Sequence, residues 1–140
     1  MKEVEGIFEK KVVSINGISF SLNDIEHGIL RRNARQHLLT SDPILDLQVA
    51  ELDYRIHFAL NCGATSCPAI AFYSAQNIEE ELALAEQLFV ETEFEINETT
   101  RTITCSEIFK WYRIDFQNVY LNDPEYANYE VIYKKYDWTI

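Results

Sequence analysis

Cysteine, proline and glycine are scarce in this sequence: three Cys, three Pro and four Gly in 140 residues. Three cysteines are too few for a disulfide scaffold. Few Gly and Pro beside 47% hydrophobic residues exclude the disordered and low-complexity classes. Positive charge is also short, with 12 Lys and Arg against 23 Asp and Glu and a net charge of −11. Such a surface repels phosphate backbones and anionic lipid, so neither nucleic acid nor a membrane surface is expected as a partner. No apolar run approaches the length of a membrane span, so no membrane insertion is expected. The opening MKEVEGIFEKK lacks the apolar stretch of a signal peptide. The default expectation is therefore cytoplasmic, with free thiols.

What is present suits one domain, residues 1–140, long enough to bury about two-thirds of its surface. Asn16-Gly17, between Lys11–Ile15 and Ile18–Phe20, is a type I′ hairpin signal. Ser21 with Asp24 reads as a capping box opening a helix from about Leu22 to Asn33. Thr40–Leu52 reads as a loop with one helical turn, and Asp53–Asn61 as a strand with Tyr54, Ile56, Phe58 and Leu60 on one face. Pro68 suits the first position of a short helical turn, with Cys67 as its N-cap. Asn77 and Glu80 form a further capping box, ahead of a helix to about Glu91. Phe94 to Cys105 reads as a second hairpin. Ser106 caps a helix with Ile108, Trp111 and Tyr112 on its core face, and a last helix carries Tyr126, Tyr129 and Tyr133. Hairpins without βαβ alternation predict an α+β fold: a small mixed or antiparallel sheet with two hairpins, packed on three to four helices.

Two stretches concentrate ionisable groups. In SLNDIEHGILRR, Glu26 falls inside the apolar arc of Leu22, Ile25, Ile29 and Leu30, His27 at its edge, and Arg31 one turn on from His27. A carboxylate so placed needs a partner. Its readings are a structural salt bridge or an acid/base or orienting group. In RIHFALNCGATSCP, His57 sits near the end of the expected strand, and Cys62 and Cys67 follow in the loop. A thiol at a helix N-terminus beside an imidazole is activated as a nucleophile. The chemical reading assigns Cys67, or Cys62, as nucleophile, His57 as base, and Glu26 or Asn61 as its orienter, with His27 and Arg31 binding a substrate anion. Asn61 also stands among the substrate-binding candidates. The other reading makes these residues a buried polar network in a binding module. Two lesser readings are a metal site from His27, His57, Cys62 and Cys67, and a Cys62–Cys67 disulfide. Cys105, the tyrosine row, Trp111 and Trp138 read as core, and His37 as a solvated residue at a helix end. No cofactor or metal is called for.

SLNDIEHGILR, DYRIHFALNCGATSCPAI, YSAQNIEEEL, SEIFKWYRIDF and the closing YDW, in this order and spacing, resemble the family known as domain of unknown function 547. Glu26, His27, Arg31 and His57 match its pattern directly. The resemblance implies a domain found in bacteria, and within larger chains in plants and animals, with no established activity. Members carry an upstream segment like FWINxYNAL that this sequence lacks. That implies an N-terminally truncated version, and a leader could have gone with the missing part. Plant members can carry Ser where this chain has Cys67, so a thiol mechanism need not be general to the family. The expectation is a binding or interaction module for an unknown protein or small molecule, with a thiol-dependent hydrolase or transferase as the alternative.

Overall fold

The computed structural model describes residues 6–32 and 43–140. His37, Asn33 and the start of the Thr40–Leu52 stretch lie outside them. The chain falls into two compact units, Met1–Asp53 and Tyr54–Ile140.

In the first unit, β1 (Lys11–Ile15) pairs antiparallel with β2 (Ile18–Ser21). Asn16 and Gly17 take φ of 51° and 79°, the left-handed pair that a type I′ turn requires. The capping box forms in both directions: the Ser21 amide donates to Asp24 Oδ2 at 2.9 Å, and the Asp24 amide to Ser21 Oγ at 3.0 Å. The helix that follows is π-helical over Asp24–Leu30, with the Arg31 amide donating to the Glu26 carbonyl five residues back. The wider turn rotates the expected arc. Leu22 is exposed, while His27, Gly28, Ile29 and Arg31 are buried. α1 (Pro43–Asp46) supplies Ile44 to a small core with Phe20 and Ile29.

The second unit is built on an aromatic core. Phe58, Phe89, Phe109 and Phe116 are buried together with Ile103 and Cys105. Phe58 stacks on Phe89 at 5.3 Å between ring centres, and Phe109 lies 5.4 Å from Phe116. α2 (Ile78–Glu93) starts where expected, but Asn77 makes no side-chain cap. Glu81 instead reaches back to the Ser74 amide and hydroxyl. The second hairpin forms as β3 (Phe94–Asn97) and β4 (Thr102–Ser106), in antiparallel register.

Several local expectations are corrected. Asp53–Asn61 is not a strand, because Tyr54–Phe58 winds into a 3-10 turn. Ile56, His57 and Phe58 are consecutive and all buried, which a strand covered on one face alone would not provide. No helical turn forms at Pro68, so Cys67 is not a helix N-cap. The last helix is replaced by a 3-10 turn, Pro124–Tyr126, and β5 (Glu130–Lys134), which lies parallel to β4. Tyr126 and Tyr133 from these elements, and Tyr129 from the link between them, pack against the core. The helix after Ser106 is short, α3 (Ile108–Trp111), and it buries Ile108 and Phe109. Trp111 and Trp138 are 41% and 56% exposed and are not core. The fold is α+β, with one two-stranded antiparallel sheet and one three-stranded mixed sheet. Among the described residues no helix is long and apolar enough to cross a membrane.

Candidate functional site: a dithiol loop and an apolar cavity

The expected site residues form three groups along the chain, one in the first unit and two in the second. The first lies on the π-helical segment. Arg31 Nη1 donates to His27 Nδ1 at 2.9 Å, and His27 Nε2 stands 3.6 Å from Glu26 Oε1. A ring that accepts at Nδ1 is neutral, with its proton on Nε2 toward Glu26. The wide turn brings Glu26, His27 and Arg31 together and buries both cationic candidates beneath the hairpin unit's surface.

The second cluster is His57, 3% exposed. Its Nε2 meets Asp115 Oδ2 at 2.8 Å, and both side chains are buried. The ring stacks on Tyr112 at 3.8 Å and 16°, with Phe116 edge-on at 5.8 Å. Sequence reasoning missed Asp115, which sits on the 3-10 turn Arg113–Phe116. Nothing in RIDF marks it beyond a charge amid apolar neighbours.

The third cluster is the loop between Asn61 and Pro68. Asn61 closes it, donating from Nδ2 to the Pro68 carbonyl and accepting from the Gly63 amide. Gly63 takes φ of +88°, a conformation that L side chains rarely adopt. The closed loop brings Cys62 Sγ and Cys67 Sγ to 2.8 Å, both free thiols. The Cys62 amide donates to Cys67 Sγ at 3.2 Å, and so does the Tyr136 hydroxyl at 3.2 Å. Tyr136 is delivered by the C-terminal segment. The Thr65 and Ser66 amides donate to the Thr139 and Asp137 carbonyls, and the Asp137 amide donates to Ser66 Oγ. Trp111 and Trp138 flank the Tyr136 ring at 4.8 Å and 4.6 Å. Tyr136 was legible only as part of the closing YDW.

These contacts separate the two thiols electrostatically. Burial opposes ionisation of Cys67, but hydrogen bonds from the Cys62 thiol and the Tyr136 hydroxyl outweigh it and hold Cys67 below the ordinary thiol range. Burial and the Cys67 sulfur beside it push Cys62 up. Burial and the same sulfur push up Tyr136, keeping its hydroxyl a donor. Among the described residues, no group of three His, Cys, Asp or Glu side chains could hold a metal ion.

Cys67 also lines a cavity of about 430 Å³ in the second unit. Its walls are mainly apolar, from Phe58, Phe72, Leu84, Leu88 and Phe89. Glu81 and Glu93 also line it, and among the described residues no Lys, Arg or His does. Tyr73 lines it too, and among the described residues its hydroxyl, itself shielded from solvent, has no hydrogen-bond partner.

Residues 1–90 match the family described as a protein of unknown function, DUF547. The chain belongs to the DUF547 family. The matched span holds the His27 cluster, His57 and both loop cysteines, while Asp115 and Tyr136 lie beyond it. No curated protein and no solved structure matches the chain.

Proposed function

We propose that this DUF547 chain is an interaction module that takes an extended peptide segment, with apolar side chains next to Lys or Arg, into the cavity beside α2. The observation that carries this reading is the cavity wall: mainly apolar, with Glu81 and Glu93 as its charged residues and, among the described residues, no cation. Apolar clefts with a few placed polar groups are the usual form of binding sites. A bare hydrocarbon chain would gain nothing from Glu81 and Glu93 at the wall, whereas a Lys or Arg beside apolar side chains would. A fatty-acid carboxylate would meet no cation there. The preference for a basic partner follows from α2, which carries six glutamates and no Lys or Arg over Ile78–Glu93. The approach to the cavity is apolar as well, since Phe72 is 94% exposed and Leu88 51%. On this reading the buried His57–Asp115 pair and the Glu26–His27–Arg31 cluster are polar networks, each fixing the fold of its own unit.

The test is a fluorescence-anisotropy titration of the full chain with a labelled peptide carrying Leu and Phe anchors beside Lys. Saturable binding is expected, weakening with added salt and with Leu88→Asp. Equal affinity for a peptide with Glu in place of Lys, or no saturation, would refute the reading.

A further inference from the structure

The loop closed by Asn61 has a chemistry that peptide docking does not use. Two thiols stand 2.8 Å apart at the end of a six-residue span, and one of them is exposed. A disulfide needs the sulfurs only about 0.8 Å closer. The surroundings also give the two sulfurs different parts. The Cys62 amide and the Tyr136 hydroxyl both point their hydrogens at Cys67 Sγ, and Cys67 opens onto the cavity. Cys62 faces solvent.

We propose that Cys62 and Cys67 form a thiol–disulfide exchange centre for a disulfide substrate, with Cys67 as the attacking sulfur, Cys62 as the resolving sulfur and Tyr136 as a positioning residue. In the first step the Cys67 thiolate attacks one sulfur of the substrate disulfide. A bond forms between Cys67 and that sulfur, the substrate S–S bond breaks, and the other substrate sulfur leaves as a thiolate that takes a proton from water. In the second step Cys62 loses its proton to solvent and attacks Cys67 Sγ. The Cys62–Cys67 bond forms, the mixed disulfide breaks, and the second substrate sulfur leaves as a thiolate that takes a proton from solvent. The protein dithiol is oxidised to a disulfide and the substrate disulfide is reduced to two thiols, so electrons and protons balance.

The donor arrangement serves both steps. While Cys67 carries charge, that charge and the hydrogen bond to it keep the proton on Cys62. Once Cys67 is capped by substrate its charge is gone, and Cys62 ionises more readily at the moment it is needed. Tyr136 keeps its hydroxyl aimed at Cys67 Sγ through the backbone pairing of Thr65 and Ser66 with the Asp137–Thr139 segment.

The full-length chain is incubated with oxidised glutathione and its thiols are mapped by mass spectrometry. Wild type should end with a Cys62–Cys67 disulfide, two glutathiones released per chain and Cys105 still reduced. Cys62→Ser should accumulate glutathione on Cys67, and Cys67→Ser should react at Cys62 about tenfold slower or less. Tyr136→Phe should raise the midpoint of the Cys67 alkylation pH profile while the circular dichroism spectrum stays that of wild type. A mixed disulfide that persists in wild type overturns the proposal, and so does absence of any reaction. Cys67→Ser reacting as fast as Cys62→Ser overturns the assignment of the attacking sulfur. The probe is a small disulfide without apolar anchors, so the outcome is independent of peptide binding.

Discussion

His57 and Cys67 stand ten residues apart, yet they occupy opposite environments. His57 is buried, held by Asp115 at 2.8 Å and sandwiched against Tyr112. Cys67 is half-buried, on a loop that opens on one side to a cavity and on the other to solvent through Cys62. The first arrangement keeps a polar group inside the core by satisfying it. The second collects donors around a sulfur and leaves it reachable. One short stretch thus carries a residue suited to stability and another suited to reactivity, and burial separates them.

Breaking this comparison begins with Asp115. Asp115→Ala leaves a buried imidazole without its carboxylate and should destabilise the protein by about 3 kcal/mol in urea denaturation. Alkylation of Cys67 in the folded variant should stay within about twofold of wild type. A loss below about 1 kcal/mol, or a large change at Cys67, would show that the two networks are one.

A second contrast lies between cysteines. Burial pushes the Cys105 thiol from 9.0 to about 12, so the folded state keeps a proton that the unfolded chain releases. The resulting stabilisation is complete below pH 9 and is lost as pH rises toward 12, at about 1.4 kcal/mol per pH unit for one proton. Cys105→Ala should flatten that alkaline slope in denaturation curves taken between pH 8 and 11, ranges chosen about the ordinary thiol value. Cys67, shifted in the other direction, should show its contrast in alkylation, titrating below Cys62.

Smaller effects sharpen the picture. Gly17→Ala places a side chain at φ of +79° and should cost about 1 kcal/mol, all of it in the hairpin of the first unit. Cys67→Ser, at a half-exposed position, should change stability by less than about 0.5 kcal/mol while removing thiol exchange. A thermal melt that drops as far for Cys67→Ser as for Asp115→Ala would reduce the loop to a structural element.

Much of this was legible from local chemistry. Asn16-Gly17 demands a tight turn, Ser21 and Asp24 cap one another three residues apart, and the Phe94–Cys105 hairpin follows its alternation. Each depends on neighbours within a few residues, so the chain itself carries the information. Tyr54–Phe58 shows where that reading ends. Its alternation of apolar residues suggested a strand, but Phe58 and His57 both had to reach the interior, one for the aromatic core and one for Asp115. The tyrosines of the last segment misled in the same way, since β4 offered an open edge that a strand at Glu130–Lys134 could fill.

From sequence alone, then, came the α+β class, the DUF547 resemblance, two hairpins and the concentration of Glu26, His27, Arg31, His57, Cys62 and Cys67 in two stretches. Tertiary structure alone decided their partners: Asp115 for His57, 58 residues away, and Tyr136 for Cys67, 69 residues away. The reason is physical. Turns and caps are set by torsions and hydrogen bonds along the chain, whereas the state of a thiol or an imidazole is set by whichever dipoles and apolar surfaces folding places against it.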